Sequence, residues 1–192
     1  MVHTRVQVAL SHREGILLGL GLGSLDLFFT RDHMRHFQRT DKRTWALLDE
    51  HGHILGSLIQ PNWWSNKMEL VVPEGVLTVA SSGALRSDRT VYRNDAPLAD
   101  LKFSWRGDIH ITPRRAGSGT LHVERTAWWS RSYIIKDDAG AERARLSMRM
   151  DWSTFAMAPV LEESTTDPLS AMDLLLAVHG VQETYRRSSA AS

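Results

Sequence analysis

The chain is predicted to be mainly β with one C-terminal α-helix: a closed antiparallel barrel of about 12 strands around a central hydrophobic helix. Three observations predict it. Short apolar segments with turns recur at intervals of about 45 residues. Tryptophans lead segments in which apolar and polar residues alternate. Near the C-terminus, a run with a helical start signal is apolar on every side.

Three hairpins carry the repeat. They are Trp45-Ala46-Leu47-Leu48 before Asp49-Glu50-His51-Gly52, Val91-Tyr92-Arg93 before Asn94-Asp95-Ala96-Pro97, and Tyr133-Ile134-Ile135-Lys136 before Asp137-Asp138-Ala139-Gly140. Asp, Asn, Gly and Pro supply the turn chemistry that reverses a strand. Trp64 precedes Met68 and Leu70, and Trp105 precedes Ile109 and Ile111; alternation of this kind gives a strand one buried face. Trp152 begins a poorer match, with Ala156 and Ala158 in those places. Further strands are expected at Phe37–Thr40, Val76–Ala80 and Leu121–Glu124. Short links between all of them give an antiparallel meander, and closure removes its exposed edges.

The helix is expected over about residues 167–185, with Asp167 as N-cap and Pro168 at the first helical position. At 100° per residue, Leu169, Met172, Leu174, Leu175, Leu176, Val178 and Val181 surround the axis. Such a helix is buried on all sides or spans a membrane. The apolar run covers only about 20 Å of helix at ~1.5 Å per residue and contains Asp173 and His179, so a span is excluded. A barrel of a dozen strands is too wide for inward side chains alone to fill, and a helix about 10–12 Å across fits inside it.

Residues 34–187 are therefore assigned to the barrel, 1–33 to a weakly patterned N-terminal extension and 188–192 to a tail; Met34 offers an alternative start. The run Gly15–Leu25 is short and glycine-rich, a poor leader, and no Lys-Ser/Thr follows it as in a phosphate loop. Cysteine is absent, which removes disulfides and thiolate chemistry and fits a cytoplasmic protein. The net charge of +1 gives no pull toward specific nucleic-acid binding. Bases nevertheless outnumber acids from Arg86 to Arg149, and acids outnumber bases from Met150 onward.

Candidate chemistry is sparse. His33 and His36 with Asp32, or His51 and His53, lack a third metal ligand at a fixed spacing and read as solvated. No metal and no cofactor is expected. His179 on the helix reads as a packed neutral imidazole bonded to a carbonyl, and Asp173 as facing the barrel mouth or meeting an inward Arg. Asp137-Asp138 is a turn, and Glu162-Glu163 on a strand point to opposite faces, so neither suits acid–base work. No Gly-x-Ser-x-Gly elbow is present. Most of the seven tryptophans read as wall packing. The anion-binding candidates are Arg114 and Arg115, beside Gly117-Ser118-Gly119, with Arg86, Arg89 and Arg106 on related loops, because Arg forks suit phosphate.

The hairpins at Asp49–Gly52 and Asp137–Gly140, the strands after Trp64 and Trp105, and the helix from Asp167 together resemble the tubby-like C-terminal fold. The likeness is to its bacterial and LURP-one-related members, in a superfamily to which phospholipid scramblases are also assigned, and it covers about residues 35–187. It implies a twelve-stranded barrel around a hydrophobic helix. It also implies functions such as phosphoinositide-tethered regulation, lipid scrambling or defence roles. No phosphoinositide-site or scramblase calcium motif is matched, and the absence of Cys excludes palmitoylation. The expected function is a non-enzymatic binding or regulatory module for an anionic phospholipid headgroup or an anionic protein partner, at most peripheral at the membrane. The alternatives are a scramblase-like or scaffold protein at the membrane surface and an enzyme with a site at the barrel mouth near Asp173.

Overall fold

A computed structural model describes residues 35–60, 67–82, 88–151, 156–163 and 167–190. The expectations for residues 1–33, and for Trp63, Trp64, Arg86 and Trp152, lie outside the described residues. Twelve strands run in chain order. They are β1 (His36–Asp41), β2 (Thr44–Leu48), β3 (Ile54–Ile59), β4 (Met68–Val72), β5 (Gly75–Ser82) and β6 (Asp88–Arg93). There follow β7 (Ala96–Phe103), β8 (Ile109–Pro113), β9 (Leu121–Arg125), β10 (Ser132–Lys136), β11 (Glu142–Asp151) and β12 (Ala156–Glu163). Each pairs antiparallel with the next, in the order β1 to β12. The sheet curls until β1 lies beside β12, which makes a nearly closed barrel. Arg35 helps to hold the seam: its guanidinium forms an ion pair with Glu163 and donates to the Leu169 carbonyl at 2.7 Å.

Alternation builds the wall. Met68, Leu70 and Val72 of β4, Ile109 and Ile111 of β8, and Tyr133 and Ile135 of β10 are buried, while the residues between them are half-buried or exposed. Register matches these faces: Ile109 lies opposite Val123, and Ile111 opposite Leu121.

The repeat has a physical basis in its turns. In Asp49–His53 the Asp49 N–H donates to the His53 carbonyl at 3.0 Å and the Gly52 N–H to the Asp49 carbonyl at 3.1 Å. Asp137–Ala141 forms the same pair of bonds at 3.1 and 2.9 Å. Gly52 and Gly140 take φ of 81° and 80°, which a residue with a Cβ rarely adopts. The middle hairpin is different: Asn94 and Asp95 both have positive φ, as a two-residue turn requires. The five-residue turn does recur at Ser104–Asp108, with bonds of 2.8 and 3.1 Å. Trp105 therefore sits in a turn, not at the head of a strand as its spacing predicts; the strand starts at Ile109.

The helix α1 spans Ala171–Ala190, not about 167–185. Ser170 caps it: the Asp173 N–H donates to Ser170 Oγ at 3.1 Å, and the Ser170 hydroxyl donates to Asp173 Oδ2 at 2.7 Å. This reciprocal pair satisfies the first turn better than Asp167 does, and Leu174 N–H closes on the Ser170 carbonyl at 3.1 Å. Every residue from Leu174 to Val181 is buried. Two glycines set how closely the helix is held. A Cβ at Gly56 of β3 would stand 2.8 Å from Leu175 Cδ1, and one at Gly180 would stand 3.0 Å from Ile109 Cδ1. A glycine inside a helix costs about 1 kcal/mol; here it permits close approach to β8.

Candidate functional site: the two ends of the barrel

An antiparallel meander sends alternate turns to opposite ends. The helix enters at the end formed by the β2–β3, β4–β5, β6–β7, β8–β9 and β10–β11 turns. It leaves at the end formed by the β1–β2, β7–β8 and β9–β10 turns.

The entry end is rich in acids. Asp49, Glu50 and Glu74 lie on its first two turns, and Asp95, Asp137 and Asp138 on later ones. Asp167 lies before the helix, where it pairs with Arg143. Much of this charge serves the backbone: Asp49 Oδ1 accepts from His51 N–H at 2.9 Å and His53 N–H at 2.8 Å, and Asp137 Oδ1 accepts from Ala141 N–H at 2.9 Å. Those bonds help to hold both carboxyls below the usual carboxylate range, for Asp49 against the opposing effect of desolvation.

The exit end is basic and aromatic. Lys42 and Arg43 form the β1–β2 turn, and Arg186 and Arg187 lie near the helix C-terminus. Trp105 and Arg106 occupy the β7–β8 turn, with the guanidinium 4.9 Å from the ring centre. Trp128, Trp129 and Arg131 occupy the β9–β10 turn. The three tryptophans are 87%, 80% and 71% exposed. Their loops are ordered by hydrogen bonds. Asp108 Oδ1 accepts from Arg125 N–H at 3.1 Å, which ties one turn to the other. Arg125 Nε donates to the Ser130 carbonyl at 2.7 Å, and Ser132 N–H to Ser130 Oγ at 2.9 Å.

The sequence-predicted arginines are thus not one cluster. Arg106 belongs to the exit end, and Arg114 and Arg115 to the entry end. Arg114 forms a fork with Asp100 at 2.8 and 3.0 Å. Arg115 lines a crevice of about 480 Å³ at the helix entrance with Arg93, Arg143, Asp137, Ser170 and Asp173. Arg89 is buried in the barrel and ion-paired with Glu183 of the helix. Asp173, the odd carboxylate of the sequence, is half-buried at the mouth, where it serves as the cap. Most described tryptophans are not wall residues: Trp45 alone is partly buried against the core.

A second crevice, of about 250 Å³, opens at the exit end. Trp45, Leu58, Met68, Met148 and Met157 give it apolar walls. His179, Glu183 and Gln182 line it from the helix, and Lys42, Arg43 and Arg186 from the wall and helix end. His179 is 2% exposed, and among the described residues neither ring nitrogen has a hydrogen-bond partner. The expected carbonyl bond is absent there. Burial lowers its pKa to about 4, against the opposing charge of Glu183 and with help from Arg89, Arg186 and Arg187. Burial pushes Glu183 up, but the Arg89 charge, with His179, Arg186 and Arg187, holds it below its ordinary value.

A pH dependence follows. The folded state keeps His179 neutral down to about pH 4, while the unfolded chain protonates it below its ordinary 6.5. Stability is therefore fully present above pH 6.5 and falls as pH drops toward 4, by about 3 kcal/mol at ~1.4 kcal/mol per unit. Urea melts of the chain and of His179→Gln across this window check it: the variant is expected to lose most of the slope.

Sequence reasoning also missed a pair on the outer wall. His110 and His122 face each other across β8 and β9 with Nδ1 atoms 3.0 Å apart. Strand register alone aligns them. Among the described residues no three His, Cys, Asp or Glu side chains form a metal-binding group.

No protein-family model matches the chain, and no curated protein and no solved structure matches it. What the fold and geometry define is a helix-filled antiparallel β-barrel with an acidic entry end and a basic, tryptophan-bearing exit end.

Proposed function

We propose that the chain is a non-enzymatic binding module of the tubby-like kind, which docks its exit end on an anionic lipid surface. The observation that carries this reading is the set of three exposed tryptophans on two tied loops, with Arg106 and Arg131 beside them. Indole rings favour the membrane–water interface, where an apolar body and a polar N–H are both satisfied. Each Lys or Arg near an anionic surface adds about 1 kcal/mol. The acidic entry end strengthens the orientation, because an anionic surface repels it while attracting the other end. No helix among the described residues is long and apolar enough to cross a membrane, and the docking proposed is peripheral.

Vesicle co-sedimentation tests this. Vesicles containing phosphoinositide or phosphatidylserine are expected to retain the protein at low salt and release it as salt rises. Trp105→Ser with Trp128→Ser and Trp129→Ser is expected to cut retention at least tenfold without lowering the melting temperature. Arg106→Ala is expected to cost severalfold. Arg114→Ala with Arg115→Ala, at the other end, is expected to change little. Equal retention on neutral vesicles, or an unaffected tryptophan variant, would sink the proposal.

A further inference from the structure

We infer that His110 and His122, facing each other on the outer wall, form a two-histidine site for a divalent transition-metal ion such as zinc. Strand register builds it. His110 of β8 lies opposite His122 of β9, while Ile109, Ile111, Leu121 and Val123 are buried in the barrel, which turns both rings outward. His110 is half-buried, and the His122 side chain is 32% exposed. The ring centres are 5.1 Å apart with the planes at 84°, so the rings meet edge-on and are not stacked. Their Nδ1 atoms are 3.0 Å apart. Zinc binds imidazole nitrogen at about 2.0–2.1 Å, so two nitrogens on one ion stand ~2.9 Å apart at a right angle and ~3.4 Å apart at the tetrahedral angle. The pair is already spaced within that range.

Asp138 supplies an independent indication. Its Oδ1 lies 3.4 Å from His122 Nε2, and its Oδ2 accepts from the Thr120 N–H at 2.7 Å. A carboxylate only accepts, so Nε2 of His122 carries the proton and its Nδ1 presents a lone pair. A carboxylate behind the imidazole, fixing its tautomer, is the usual support of a metal-ligating histidine. Without metal, the His110 Nδ1–H donates to that lone pair. When zinc enters, His110 gives up the Nδ1 proton to solvent and takes one at Nε2. The ring stays neutral, no net proton is released, and both lone pairs converge on the ion.

The charges around the pair balance. Lys102 of β7 lies opposite His110, and Lys136 of β10 lies opposite His122. Lys136 donates to Glu124 at 2.6 Å, and Lys102 is exposed. Glu124 and Asp138 thus match the two lysines, and a dication meets no net positive wall. Among the described residues no third acidic or imidazole side chain joins the pair, so water completes the coordination and binding is reversible. The site shares no residue with the tryptophan loops, and a failed vesicle experiment leaves it standing.

Titration of the full chain with zinc chloride, followed by proton–nitrogen NMR correlation of the imidazole rings, is the test. The Nδ1 signals of His110 and His122 are expected to shift together along one saturable curve. Chelation makes the second contact intramolecular, so in His122→Ala the response of His110 is expected to need at least about tenfold more zinc. Asp138→Asn is expected to weaken binding by about tenfold, in line with the loss of a carboxylate behind a ligand. The inference is overturned if zinc leaves both rings unshifted, shifts one without the other, or moves them along separate curves. It is also overturned if His110 responds equally in His122→Ala. The joint response of the two rings in the unaltered chain decides the matter if a variant does not fold.

Discussion

A chain ending at Thr166 is expected to aggregate and to show no cooperative unfolding. The barrel lining faces inward onto α1. Leu174, Leu175, Leu176, Ala177, Val178 and Val181 are at most 1% exposed, and the strands the helix packs on, β3, β4 and β8, contribute the buried Leu58, Leu70, Ile109 and Ile111. Burying one Leu or Val side chain is worth about 1.5–3 kcal/mol, and its loss also leaves a cavity. A domain of this size is stable by only ~5–15 kcal/mol, so removing several such side chains together exceeds the whole margin. Leu175→Asp is expected to act almost as strongly. Leu175 touches the place where Gly56 lacks a side chain, so no room exists for a hydrated carboxylate. Thermal melting by circular dichroism with size-exclusion chromatography checks both. A truncated chain that stays monomeric and melts at the full-length temperature would contradict the filled barrel.

The second large effect is expected at the ion pair between wall and helix. Glu183→Leu removes the carboxylate that faces Arg89 and leaves that guanidinium, buried, among the charges of Arg186 and Arg187. Breaking a buried pair from one side costs about 3–5 kcal/mol. Arg89→Met with Glu183→Leu removes both charges and keeps similar volume. It is expected to recover most of that loss, since a buried pair is often little better than its apolar replacement. Urea denaturation of the single and double variants checks this. Equal destabilisation by both would mean that packing, not charge, dominates at the site. The pair also bears on placement: Phe103 lies 4.0 Å beneath the Arg187 guanidinium, so the helix end is held by contacts from the wall as well as by its apolar face.

The sequence by itself determined the mainly β class, the approximate number of strands and the central helix. These are properties of local periodicity. Alternation at Met68–Val72 or Ile109–Ile111 needs only neighbours in the chain to be legible, and Leu174–Val181 can be buried on all sides only if something encloses it. The sequence also marked its reversals, because Gly52 and Gly140 supply left-handed conformations that turns demand. The helix start was misplaced for a local reason. Asp167-Pro168 is a good start signal, and the competing Ser170–Asp173 pair wins through a reciprocal hydrogen bond. Only the tertiary structure decided which charges share an end. Arg106 and Arg114 are near in sequence, yet one strand separates their turns and sends them to opposite ends of the barrel. Arg89 and Glu183 are distant in sequence and meet inside it. The tryptophans were misjudged on the same ground: hydrophobic composition favours burial, but a turn position leaves Trp105 outside the apolar core, exposed beside Arg106. The crevice beside His179 arises from strands at both extremes of the sheet closing on one helix face, a coincidence that periodicity along a chain does not encode.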